Sequence, residues 1–141
     1  MQTDTLFLDT GYLYALFNTR DQWHQKAVEW QEKIALENFP LLTTEFVLTE
    51  IANGLSAVKF RQDASNIIHI LQDDDLVQII PATSELFTKG LNLYENRNDK
   101  DWGLTDCISF IVMQETNVNK ALTPDDHFRQ AGFRSLLLED F

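Results

Sequence analysis

The sequence predicts an α/β fold with a mainly parallel central sheet of about five strands, covered on both faces by helices. Three observations carry this reading. Short apolar runs alternate with longer segments of helical periodicity, and such alternation implies crossover connections between parallel strands. Hydrophobic residues make up 44% of the 141 residues, enough to build a buried core at this length. The three prolines and five glycines are scattered. No linker or low-complexity tract divides the chain, so a single domain over residues 1–141 is expected.

The elements follow in order. Thr5-Leu6-Phe7-Leu8 fits a buried strand, and Gly11 to Phe17 a short helix. Gln22 to Glu37 is a longer helix, with Trp23, Val28, Trp30 and Ile34 set among charges. Pro40-Leu41-Leu42-Thr43 reads as a second strand. Glu45 to Val58 fits one helix, with Phe46, Val47, Ile51 and Leu55 near helical spacing and Thr44 as its N-cap. Asp63 to Gln72 is a further helix, and Leu76 to Ile80, stopped by Pro81, a third strand. Thr83 to Glu95 is helical, and Asn96 to Gly103 is a polar loop. Thr105 to Glu115 is apolar nearly all round, which predicts a buried helix. Lys120 to Thr123 is a fourth strand, Pro124 to Gln130 a short helix, and Phe133 to Leu138 a fifth strand.

Charge and composition narrow the function. Lys and Arg total 11 against 22 Asp and Glu, a net charge of −11. Such a balance argues against a general nucleic-acid coat or a binder of anionic membrane, because both rest on cationic excess. It leaves open an enzyme that meets a phosphate backbone through a bound divalent cation. Cys107 is the only cysteine, which excludes an internal disulfide and a cysteine zinc cluster and suggests a reducing compartment. No apolar run approaches the ~18 residues of a membrane span, and Met1-Gln2-Thr3-Asp4 lacks a positively charged leader start. A cytoplasmic protein is expected.

The acids are placed suggestively. Asp9 follows the first strand and Asp125 the fourth, and ligands in open parallel sheets gather beyond the carboxyl ends of strands. Asp106 opens the most apolar helix, where an ionised carboxylate needs compensation. Glu50 lies inside the Glu45–Val58 segment. Glu45 precedes it by five positions, roughly 140° round a helix, so the two should not share a site. Four acids from four distant segments form an all-oxygen set suited to a hard cation such as Mg²⁺ or Mn²⁺. The chemistry natural to that set is phosphodiester hydrolysis. The cation also reverses the local charge, so an acidic protein can meet RNA.

The strings Phe7-Leu8-Asp9-Thr10, Leu48-Thr49-Glu50-Ile51, Leu104-Thr105-Asp106-Cys107 and Leu122-Thr123-Pro124-Asp125-Asp126-His127-Phe128 resemble the PIN-domain nucleases. Within them the chain is most similar to VapC-type toxins of type II toxin–antitoxin pairs. The likeness runs from about Thr5 to Leu138. It implies a three-layer α/β/α fold and a Mg²⁺- or Mn²⁺-dependent endoribonuclease acting on RNA. It also implies a homodimer and inhibition by a cognate antitoxin, which could place an Arg or Lys among the acids. Asp9, Glu50, Asp106 and Asp125 would be its acidic quartet. Asp125 is preferred to Asp126 because it stands three residues before Phe128. Thr10, Thr105 and Thr123 would orient the acids or a water.

Blander readings stand beside these. Asp9 could be a turn residue, and Asp106 and Asp125 first-turn helix acids. Asp126 is a substitute ligand, and Asp101 a loop acid that could reach a metal through water. Asp73-Asp74-Asp75 reads as a helix end, since the Gly and Glu of an EF-hand loop are missing. His24 and His127 read as structural, His69 as core or interface, and Cys107 as core. Trp102 reads as packing, with base stacking as the minor alternative. Lys59 and Arg61, and Arg97 and Lys100, are the best local basic pairs; they read as isolated surface charges, with phosphate contact as the alternative. Two other functions compete: a binding module of the same fold with weak or no catalysis, and a phosphotransfer domain built on Asp9. An aspartyl-phosphate phosphatase would want a second acid two positions on, where Gly11 stands.

Overall fold

The computed structural model describes residues 4–141. The reading of the first residues as lacking a leader falls on Met1 to Thr3, which lie outside the described residues. A sheet of β1 (Leu6–Leu8), β2 (Leu41–Thr44), β3 (Val77–Ile80), β4 (Lys120–Leu122) and β5 (Arg134–Ser135) runs in the order β3-β2-β1-β4-β5. Every pairing is parallel. The helices are α1 (Thr10–Phe17), α2 (His24–Glu37), α3 (Glu45–Gly54), α4 (Val58–Asp73), α5 (Ser84–Asn96), α6 (Leu104–Thr116) and α7 (Asp126–Gln130). They supply the crossovers that parallel strands require. β1 is central, so Leu6, Phe7 and Leu8 are all buried, a continuous apolar run rather than an alternating one.

Local chemistry explains most boundaries. Thr44 caps α3, its hydroxyl accepting from the Val47 N–H at 3.1 Å, and Thr83 caps α5 in the same way. Asn38 and Asn117 end α2 and α6 in the left-handed region, at φ 55° and 57°, which Asn tolerates better than most residues. α5 and α6 meet closely at Gly90, where a Cβ would stand 2.3 Å from Ile108 Cγ1.

An aromatic cluster beneath the acids ties the site elements together. Phe110 of α6 packs edge-on to Phe128 of α7, with ring centroids 4.9 Å apart, and to Trp102 at 5.0 Å. Phe128 also meets Phe7 of β1 at 6.3 Å. Burying such a ring contributes roughly 1.5–3 kcal/mol, so the cluster holds β1, α6 and α7 in fixed relation.

The structure differs from the sequence reading in four places. The expected helix over Glu45–Val58 stops at Gly54, and α4 begins at Val58, five residues before the expected Asp63. Leu55 turns inward and is buried, Ala57 is extended at ψ 142°, and Phe60 packs edge-on against Phe17 at 5.4 Å. Periodicity alone does not register that break. The expected strand over Phe133–Leu138 shrinks to Arg134–Ser135, followed by a 3₁₀ turn over Leu136–Leu138. Leu136 and Leu137 are both buried, which a turn allows. α7 begins at Asp126 because Asp125 stays extended as its cap. His69, read as core or interface, is exposed on α4 in the single chain, which removes the core alternative. Among the described residues no helix is long and apolar enough to cross a membrane.

Candidate active site

The site lies beyond the carboxyl ends of β1 and β4, where the chain leaves neighbouring strands in opposite directions across the sheet. The register pairs Leu8 with Leu122. The next residues, Asp9 and Thr123, therefore stand side by side, and the Thr123 hydroxyl donates to Asp9 Oδ2 at 2.9 Å. Asp9 is 5% exposed. Burial, and then the charge of Asp106, push its carboxyl up from 3.8 to about 7. The Thr123 hydroxyl and the Thr10 N–H oppose that rise, and Glu50 adds to it.

Asp106 sits in the first turn of α6, its Oδ2 accepting from the Gly103 N–H at 3.2 Å. The same oxygen lies 3.1 Å from His127 Nδ1. Burial, followed by the nearby Asp125 charge, raises the Asp106 carboxyl above its ordinary value, against the lowering effect of the His127 contact. Asp125 Oδ1 accepts from the His127 N–H at 2.9 Å and stands 3.4 Å from His127 Nδ1. Asp106, Asp125 and His127 are the group whose donor atoms lie within 4.8 Å of one another. Glu50 reaches the site from α3. Its backbone carbonyl accepts from the Tyr14 hydroxyl at 2.9 Å, and burial, with the Glu50 and Asp9 charges, raises Tyr14.

A divalent cation fits this donor set. Among the described residues the Lys and Arg ion pairs go to other acids: Glu37, Glu85, Glu115, Asp99, Asp126 and Glu139. The site carboxylates are thus gathered in a partly dry place with only one imidazole to offset them, a costly arrangement without a positive charge. Next to Asp9 the buried Thr10 hydroxyl has no hydrogen-bond partner. The PIN domain family profile matches residues 6–134.

The chain belongs to the PIN domain family. This PIN domain is 23% identical to Ribonuclease VapC1 of Aquifex aeolicus over 142 aligned positions, covering 100% of this chain and 95% of the relative. Its fold is shared with Mycobacterium tuberculosis VapC20, described as a sarcin-ricin loop cleaving toxin, at a TM-score of 0.77 and 23% identity, over 91% of this chain and 95% of that one. It is shared also with Rickettsia felis VapBC2 bound to a promoter DNA fragment, at a TM-score of 0.66 and 16% identity, over 93% and 96%. Neisseria gonorrhoeae FitAcB gives 0.65 and 14%, over 92% and 95%.

Within the PIN domain, Asp9, Glu50, Asp106 and Asp125 come to one end of the sheet, linked in a chain of charge interactions from Glu50 to Asp9 to Asp106 to Asp125. They do not form one tight cage: Asp9 and Glu50 stand outside the close group. Asp126 turns away, its carboxylate 3.5 Å from Arg129. Glu45 is elsewhere, accepting from the Ala82 N–H. Asp101 is exposed in its loop, and Asp99 pairs with Arg97. Trp102 is buried, with its indole N–H donating to Gln130, so it packs rather than offering a face to a base. His24 holds the Ala15 carbonyl and Cys107 is buried, as the sequence suggested. His127 is the residue that sequence reasoning undervalued. Its signal was position, two residues after Asp125 at the start of a helical turn that carries its ring back over the cap.

Proposed function

We propose that this chain is a metal-dependent endoribonuclease and the toxin of a type II toxin–antitoxin pair, with Asp9, Glu50, Asp106 and Asp125 as its acidic site. The observation that carries this reading is the convergence of these acids at the ends of β1 and β4 with no Lys or Arg ion pair among the described residues to balance them. Membership of the PIN domain family and the likeness to Ribonuclease VapC1 support it.

Asp106 and Asp125 would hold the cation from the α6 and α7 side, and Asp9 and Glu50 from the β1 and α3 side. When bound, Mg²⁺ or Mn²⁺ supplies activation of water and stabilisation of negative charge on the phosphoryl oxygens. The protein's part is placement. Thr123 fixes the Asp9 carboxylate, and the Gly103 N–H fixes Asp106. Direct hydrolysis by water, with no covalent enzyme intermediate, is the reaction proposed. An RNA partner is consistent with the chain's negative charge because binding of a divalent cation reverses the field at the site. A cognate antitoxin and a homodimer complete the proposal.

The test is cleavage of total bacterial RNA with Mg²⁺ or Mn²⁺, wild type against Asp106→Asn, with new RNA ends mapped. The variant should lose cleavage while its circular dichroism spectrum is unchanged. Full activity in Asp106→Asn, or no new ends from wild type with either metal, would reject the proposal.

A further inference from the structure

We propose that His127 is itself a metal ligand, through Nδ1, and that this nitrogen makes the site prefer Mn²⁺ to Mg²⁺. The inference rests on the metal-site reading above and sharpens it. The sequence points to an oxygen-only set. The geometry instead puts an imidazole nitrogen at the middle of the tightest donor group, 3.1 Å from Asp106 Oδ2 and 3.4 Å from Asp125 Oδ1. Adjacent donors around a six-coordinate cation, at ~2.1 Å from it, stand ~3 Å apart. Those two separations are therefore edges that one cation can span. Asp9 and Glu50 are not in this close group.

The ring is also held in place. The His127 backbone N–H donates to Asp125 Oδ1 at 2.9 Å, which ties the residue that carries the ring to the cap of α7. The neighbouring Phe128 is fully buried against Phe7 and Phe110. When Nδ1 ligates, the ring proton sits on the outward Nε2. Mg²⁺ is satisfied by oxygen and gains little from an imidazole. Transition metals accept the nitrogen readily, which sets the direction of preference.

A hydrogen-bonding residue behind a ligand can also weaken metal binding 10–100-fold when changed, so affinity for one metal does not decide the matter. The experiment is pulsed electron paramagnetic resonance of the full chain loaded with Mn²⁺, together with Mn²⁺ and Mg²⁺ titrations of wild type and His127→Gln. A directly bound ¹⁴N coupling is expected in wild type and absent in the variant. Mn²⁺ affinity should fall about tenfold in His127→Gln while Mg²⁺ affinity changes less than about threefold. Mn²⁺ bound to wild type without the ¹⁴N coupling, or equal weakening of both metals, overturns the inference and leaves the nuclease proposal standing. Absence of Mn²⁺ binding to wild type overturns the inference, and absence of both Mn²⁺ and Mg²⁺ binding overturns the nuclease proposal as well. Should His127→Gln fail to fold, the wild-type spectrum alone decides.

Discussion

Asp9→Asn measures the electrostatic strain that the site carries when no metal is bound. In the folded protein burial and the Asp106 charge raise Asp9 to about 7 from 3.8. Below the unfolded value both states hold the proton and pH has no effect through this group. As pH rises from there towards 7 the unfolded chain releases the proton and the folded protein keeps it, so stability falls. Above about 7 the loss is complete. At about 1.36 kcal/mol per pH unit, the interval from about pH 5 to the folded value accounts for about 2.7 kcal/mol. Asparagine cannot ionise, and its amide oxygen can still accept from the Thr123 hydroxyl. Its amide N–H groups must find partners, a cost of about 1–3 kcal/mol that does not depend on pH. The deciding quantity is therefore the change with pH, not the absolute difference. Chemical unfolding in EDTA at about pH 5 and about pH 8 should show the variant gaining about 2–3 kcal/mol on wild type between the two conditions. A stability difference that stays constant with pH would refute the electrostatic account of Asp9.

Two other expectations follow from the same geometry. Mg²⁺ or Mn²⁺ at about a hundred times its Kd should stabilise the wild type by about 2.7 kcal/mol, a Tm rise of roughly 5–10 °C at this chain length, reversed by EDTA and lost in Asp106→Asn; an unchanged Tm at saturating metal would contradict it. Gly54→Ala should destabilise by about 1–3 kcal/mol, because its Cβ would stand 1.7 Å from the oxygen of the Tyr14 hydroxyl, which donates to the Glu50 carbonyl, and 2.5 Å from the ring carbon that bears it; with Tyr14→Ala added, which removes the whole ring, chemical denaturation should show a combined loss smaller than the sum, and strictly additive losses would rule out the contact.

The α/β class and the approximate positions of β1 to β4 were legible because each lies in a short run rich in apolar residues; the fifth strand was read from the leucines of Phe133 to Leu138, which form a 3₁₀ turn after the polar pair Arg134–Ser135. The acids were legible for a local reason too. Asp9 follows a strand, Asp106 opens an apolar helix, and the helical angle between Glu45 and Glu50 separates them on spacing alone; Glu45 indeed bonds Ala82 instead. The break at Leu55 to Ala57 was not legible. It depends on Leu55 and Phe60 finding burial against partners far away in sequence, among them Phe17.

What the sequence by itself determined is the inventory: which segments extend, which coil, and which carboxylates stand at their ends. Those properties follow from contacts between residues a few positions apart. The tertiary structure alone decided the company these side chains keep. The order β3-β2-β1-β4-β5 sets Asp9 beside Thr123, and the packing of Phe110 on Phe128 brings α7 under α6 so that the His127 ring meets Asp106. Residues 21 positions apart in the chain meet at 3.1 Å there, because burial of aromatic surface, not local periodicity, fixes where helices lie.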